Sequence, residues 1–107
     1  MKEIIIDELI DYHPKEELQI VDIRDEGSTI YGMIPEAINI PFNEFVSDSQ
    51  NWINKLNKDK KIVLYCQRGE KTKEIAEQLE LMGYDSYSLV GGYNAYLVKS
   101  MEEDDFG

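Results

Sequence analysis

Four consecutive apolar residues, Ile62-Val63-Leu64-Tyr65, sit between Lys61 and a polar stretch that begins after Cys66. A run this short and this apolar reads as a buried strand. Successive side chains of a strand point to opposite faces, so this strand must be covered on both. Strands of that kind occupy the centre of parallel sheets, with helices above and below.

The rest of the chain supports that frame, because strand and helix patterns alternate from end to end. Ile4-Ile5-Ile6 reads as a first strand, with Asp7 as the N-cap of a helix through Tyr12 that His13-Pro14 ends. A second strand is expected at Gln19–Asp22, then a polar loop to about Tyr31, then a third strand at Ala37–Ile40 closed by Pro41. Residues 43–56 hold one or two helical pieces, with Phe45, Val46, Trp52, Ile53 and Leu56 facing inward. A helix over 72–82 carries apolar residues at Ile75, Ala76, Leu79 and Met82, and Gly83 is placed to cap it. Ser86–Val90 is a last strand, and Gly91-Gly92 turns into a final helix from Tyr93 to about Lys99. The fold class is therefore α/β, a single domain.

Cys66, the only cysteine, ends the central strand and opens the short loop Gln67-Arg68-Gly69-Glu70-Lys71 before the helix that starts at Thr72. Ligands of open α/β sheets bind beyond the carboxyl ends of the strands. A helix start leaves backbone N–H groups without partners and is the positive end of the helix dipole. Such surroundings lower a cysteine pKa from about 8.5 to roughly 3.5–7.5 and make the nucleophilic thiolate available. A lone cysteine at a strand end also fits the role of a small core hydrophobe. Arg68, Gly69 and Lys71 favour the first reading, since a loop that cradles an anion needs cations and a flexible glycine, and core packing needs neither.

One cysteine excludes an internal disulfide, and no apolar stretch approaches the length of a membrane span. The amino terminus turns acidic after three isoleucines, unlike a signal peptide, so a reducing compartment, the cytoplasm, is expected. Among 107 residues, 22 Asp and Glu outweigh 11 Lys and Arg, for a formal net charge of -11. That balance repels phosphate backbones and anionic membranes, so neither nucleic acid nor membrane is an expected partner. Arg68, Lys71 and Lys73 form a local basic island of the kind an anionic substrate needs. One histidine and one cysteine make no zinc site, and neither a metal nor another cofactor is expected. His13 is far in sequence from Cys66, so a Cys–His pair is not expected either. The many carboxylates read as solvated.

Four pieces of the chain, in order and spacing, resemble the rhodanese-like domain family. Asp22-Ile23-Arg24 is similar to its Asp-x-Arg element, and Gly32-Met33-Ile34-Pro35-Glu36-Ala37-Ile38-Asn39-Ile40-Pro41 to its Gly-His-Ile-Pro-Gly-Ala-x-Asn-Ile-Pro stretch. Tyr65-Cys66-Gln67-Arg68-Gly69-Glu70-Lys71-Thr72 is similar to Tyr-Cys-x-x-Gly-x-Arg-Ser, and Gly91-Gly92-Tyr93 to its double-glycine turn. The resemblance implies a mainly parallel five-stranded sheet in the order 1-5-4-2-3, flanked by helices on both faces. The domain is expected at residues 1–100, and the acidic run Glu102-Glu103-Asp104-Asp105 marks 101–107 as a solvated tail.

The resemblance also implies sulfur transfer. The family's cysteine, here Cys66, takes the sulfane sulfur of thiosulfate or a related small anionic donor as a persulfide. It then passes that sulfur to cyanide, a small thiol or a protein thiol. The donor-binding residues would be Gln67, Arg68, Gly69, Glu70, Lys71 and Thr72, with Thr72 also capping the helix and able to reach the sulfur. Asp22 and Arg24 are assigned mainly to structure, and Phe42, Trp52 and Tyr93 to core or rim. Met33, Glu36, Ser28 and Tyr96 depart from the family's usual residues. Lys71 replaces its loop arginine and loses the bidentate fork, which weakens thiosulfate affinity or changes donor choice unless Arg68 compensates.

Two other functions stay open. A phosphatase or arsenate reductase of the same fold carries an arginine six positions after the cysteine. Here Thr72 stands at that position and the cation comes one residue earlier, which favours sulfur over phosphate. A non-catalytic binding module is the other alternative, though such members usually lack the cysteine that this chain retains.

Overall fold

A computed structural model of the chain describes residues 2–47 and 51–104, with side chains through Glu102. Five strands, β1 (Lys2–Ile4), β2 (Leu18–Asp22), β3 (Ile38–Asn39), β4 (Lys61–Tyr65) and β5 (Asp85–Leu89), form one sheet in the order β1-β5-β4-β2-β3. Every pairing is parallel. The α/β class and the strand order are those expected.

β4 lies at the centre, and its residues 62–65 are fully buried, as the apolar run requires. Ile62 and Leu64 pack with Val21, Phe45, Trp52, Ile75 and Leu79 on the face covered by α3 (Phe42–Val46) and α4 (Thr72–Leu81). Val63 and Tyr65 pack with Leu9, Leu89 and the rings of Tyr93 and Tyr96 on the other face, under α1 (Ile6–Asp11) and α5 (Gly92–Asp104). A 3-10 helix, Asn51–Lys55, comes later in the chain than α3 and carries Trp52 into the core. Among the described residues no helix is long and apolar enough to cross a membrane.

Several boundaries move from where the sequence puts them. The three isoleucines are split: Ile4 ends β1, Ile5 is the N-cap of α1, and Ile6 begins the helix. Asp7 is therefore in the first turn and caps nothing. Glu8 decides this, because its carboxylate accepts the Ile5 N–H at 3.2 Å while the Ile5 carbonyl accepts the Leu9 N–H at 3.1 Å. The polar loop before Tyr31 contains a short helix, α2 (Glu26–Thr29). Val46 and Met82, expected inward, are 53% and 38% exposed because each stands at the end of its helix.

Gly83 behaves as expected. Its φ of +92° lets its N–H reach the Glu80 carbonyl and the Tyr84 N–H reach that of Leu79, both at 3.0 Å. α5 continues past Lys99 to Asp104. No glycine or proline interrupts it after Tyr93, and a 3.1 Å ion pair from Lys99 to Asp7 ties it to α1. The acidic tail proposed for 101–107 thus begins within α5, and residues 105–107 lie outside the described ones.

Candidate active site

Cys66 stands one residue beyond β4, at the carboxyl edge of the sheet, where the Ile23 N–H donates to the Tyr65 carbonyl at 2.9 Å. Its side chain is nearly buried, 8% exposed. The loop folds back over the sulfur, and the Gly69 N–H donates to Sγ at 2.9 Å. Gly69 turns its amide inward at φ +95°, where a Cβ would approach the Leu89 carbonyl to 3.2 Å. A side chain is unwelcome there on both counts.

Beneath the loop, the start of α5 is docked on the carbonyls of the loop itself. The Tyr93 N–H donates to the Cys66 carbonyl at 2.8 Å and the Asn94 N–H to that of Gln67 at 3.1 Å. A Cβ on Gly92 would lie 2.3 Å from the Cys66 carbonyl oxygen. The double glycine is legible in the sequence as a turn. Its contact with the cysteine backbone is not.

A cleft of about 340 Å³ opens at the sulfur. Cys66, Gln67, Arg68, Glu70 and Lys71 form one wall, and Ile23, Arg24, Asp25, Ser28 and Phe42 form the other. Arg68 is exposed, and among the described residues no partner holds its guanidinium. The Lys71 ammonium lies 5.3 Å from the Phe42 ring centroid, a cation–π contact at the rim. Five of the seven site residues read from the sequence therefore meet on this cleft.

Gly69 and Thr72 stand behind it. Thr72 is fully buried, and its hydroxyl donates to the Gly69 carbonyl at 2.9 Å rather than pointing at the sulfur. It is not the cap of α4 either, since Lys71 holds the N-cap position in a helical conformation and offers no side-chain hydrogen bond. His13 is exposed just before β2, at the amino edge of the sheet and so opposite Cys66.

Arg24 explains the shape of the second wall. Its guanidinium donates to both oxygens of the fully buried Asp22 carboxylate, at 2.7 to 3.1 Å, and to the Gly32 carbonyl at 2.7 Å. It also lies 4.1 Å from the Tyr93 ring centroid and reaches Gln67 Oε1 at 3.3 Å. Burial works against the cation, but the Asp22 bonds and charge outweigh it and hold the guanidinium above its ordinary range. Gln67 is pinned from its other end by a 2.6 Å bond to Asn94 Oδ1. Burial pushes the neighbouring Tyr65 phenol well up, and its oxygen accepts the Ile34 N–H at 3.0 Å. Sequence reasoning missed Ile23 and Asp25 on the opposing wall, while Phe42, assigned to core or rim, stands on it. The Asp-x-Arg element brings Ile23 and Asp25 there, and only the fold places them across from the loop.

The family model of the rhodanese-like domain matches residues 6–99. The chain is 32% identical over 96 residues to the thiosulfate sulfurtransferase GlpE of Shewanella oneidensis, covering 89% of this chain and 91% of that one. A crystal structure of a rhodanese-like domain protein from Staphylococcus aureus aligns with a TM-score of 0.75 at 31% identity, over 90% of this chain and 91% of the other. A rhodanese-related protein of Thermoplasma volcanium, 23% identical, shares the fold with a TM-score of 0.80 over 92% of this chain and 93% of its own.

Proposed function

The chain belongs to the rhodanese-like domain family, and from that premise we propose that it moves a sulfane sulfur from thiosulfate or a related small anion to a thiol or cyanide through a Cys66 persulfide. The Cys66 thiolate attacks the outer sulfur of the donor. The donor S–S bond breaks, sulfite leaves with the electron pair, and a Cys66 persulfide remains. An acceptor thiolate or cyanide then attacks the outer sulfur of that persulfide. A new persulfide or thiocyanate leaves, and the Cys66 thiolate is restored with no net oxidation of the protein.

The observation that carries this reading is the Gly69 N–H held on Sγ at 2.9 Å, on the floor of a cleft rimmed by Arg68 and Lys71. The amide supports charge on sulfur. The two cations meet the sulfonate end of the donor, an island of attraction on a chain of net charge -11. Gln67 and Glu70 complete the rim, and Thr72 and Gly69 shape the loop. With no second cysteine to resolve it, the persulfide awaits an outside acceptor, and a lone free cysteine suits a reducing compartment such as the cytoplasm, where thiol acceptors abound.

Purified protein with thiosulfate and cyanide is expected to release sulfite and thiocyanate, and Cys66→Ser is expected to fall to background. Thiosulfate alone should add about 32 Da, one sulfur, to the Cys66 peptide. Turnover without that added mass, or hydrolysis of an aryl phosphate in place of sulfur transfer, overturns the proposal. No activity together with an unreactive thiol points to a binding module.

A further inference from the structure

Two buried hydroxyls stand behind the loop. Thr72, in the first turn of α4, and Ser88, near the end of β5, are 0% and 1% exposed, and their oxygens lie 2.5 Å apart. A carbonyl carries no proton, so Thr72 is the donor in its 2.9 Å bond to the Gly69 carbonyl. Its one proton is then committed, which leaves Ser88 to donate to Thr72. The result is a relay: Ser88 to Thr72, Thr72 to the Gly69 carbonyl, and from the same residue the Gly69 N–H to Cys66 Sγ.

Ser86 provides the contrast. It sits two residues earlier on the same strand, equally buried, and gives its hydroxyl to the Ala76 carbonyl of α4 at 2.8 Å. That bond fastens β5 to α4 and never meets the loop. Ser88 reaches the loop at the residue with the greatest rotational freedom, a glycine at φ +95°. Without a hold on its carbonyl, Gly69 is free to turn its amide away from the sulfur.

We infer that Ser88 is a positioning residue: through Thr72 it fixes Gly69, and so keeps the Gly69 N–H on the Cys66 sulfur. This rests on the proposed role of Cys66 as the nucleophile. It adds a residue from β5 to a site otherwise built on the loop, the segment after β2, α2, α3 and α5.

The test is the rate of alkylation by iodoacetamide across pH, beside a thermal melt for each variant. Every thiol adduct reports residue 66, because the chain holds no other cysteine, and peptide mass mapping counts that adduct alone. Wild type is expected to be alkylated faster at pH 6 than glutathione, an ordinary thiol. Ser88→Ala should move the profile to higher pH and slow alkylation at pH 6 by at least about threefold. Ser86→Ala should lower the melting temperature and leave the profile in place. Thr72→Val should shift the profile at least as far as Ser88→Ala, and adding Ser88→Ala to Thr72→Val should shift it no further, since both act through one relay.

A wild-type rate at pH 6 no greater than that of glutathione overturns the nucleophile reading itself. A fast wild-type rate at pH 6 that Ser88→Ala leaves unchanged overturns only the role of Ser88. So does a shift in Ser86→Ala equal to that in Ser88→Ala, or full additivity of the Thr72 and Ser88 changes.

Discussion

Arg24 faces the cleft, yet its guanidinium is committed to structure before a ligand arrives. It clasps a carboxylate with no exposure to water, holds the Gly32 carbonyl, and lies over the Tyr93 ring. A buried charge whose partner is removed is costly, because nothing repays its lost hydration. Asp22→Asn keeps the shape and deletes the charge. It is expected to lower stability by about 3 kcal/mol, seen as a reduced urea midpoint at an unchanged slope. A midpoint within error of wild type would show that the pair contributes little. The Asp-x-Arg element is legible in the sequence as structural, but the pairing of its two side chains is not. Nor is the reach of Arg24 to Gln67 Oε1 at 3.3 Å, since 43 residues separate the two.

At the scale of elements, the site depends on how α5 meets the Cys66 loop. Gly92 allows that approach, at φ +56° and with no room for a Cβ against two backbone groups that cannot swing aside. Gly92→Ala is expected to cost at least about 2 kcal/mol and to slow sulfur transfer, whereas Gly27→Ala, with open space around it, is expected to do neither. Thermal unfolding and the thiosulfate–cyanide assay on both variants check this. β4 and α4 were legible because their patterns are local: four apolar residues in a row, then a helical stripe of Ile75, Ala76 and Leu79. Helix starts were less so. Asp7 and Thr72 are residue types that cap helices, but Glu8 moved the first start to Ile6, and Ser88 and Gly69 engage the Thr72 hydroxyl from other elements. The full length of α5 escaped for a similar reason, since its support at Lys99 comes from Asp7 on α1.

For the molecule as a whole, the alternation of patterns was enough to give a parallel α/β sheet, and the resemblance gave its order. Neither showed what holds the outer strand. β1 is an edge, joined to β5 by main-chain pairing and by the Lys2–Asp85 ion pair, with Lys61 at 3.7 Å from the same carboxylate. Burial works to raise the Asp85 carboxyl, but the hydrogen bond and charge of Lys2, helped by Lys61, prevail and hold it below its usual range. The hydrogen bond to Asp85 raises Lys2 above its own. A lowered acid gives stability above its unfolded pKa, about 3.9, that is lost as pH falls through the folded value. A raised base gives stability that is lost only as pH climbs beyond about 10.4. Both side chains are 40% exposed, so water screens the pair and its contribution stays under about 1 kcal/mol. Asp85→Asn should therefore be slightly less stable than wild type at pH 7, with the gap narrowing as pH falls below about 3.9 in urea titrations. A gap that does not narrow there would assign it to something other than the charge.

The docking of Tyr93 and Asn94 on the Cys66 and Gln67 carbonyls also fixes a sequence of events in time. A ribosome makes residue 66 well before residues 92–94, so a nascent chain holds its thiol with no finished mooring. The proposed nucleophile therefore reaches its final setting only late in synthesis, once α5 has emerged.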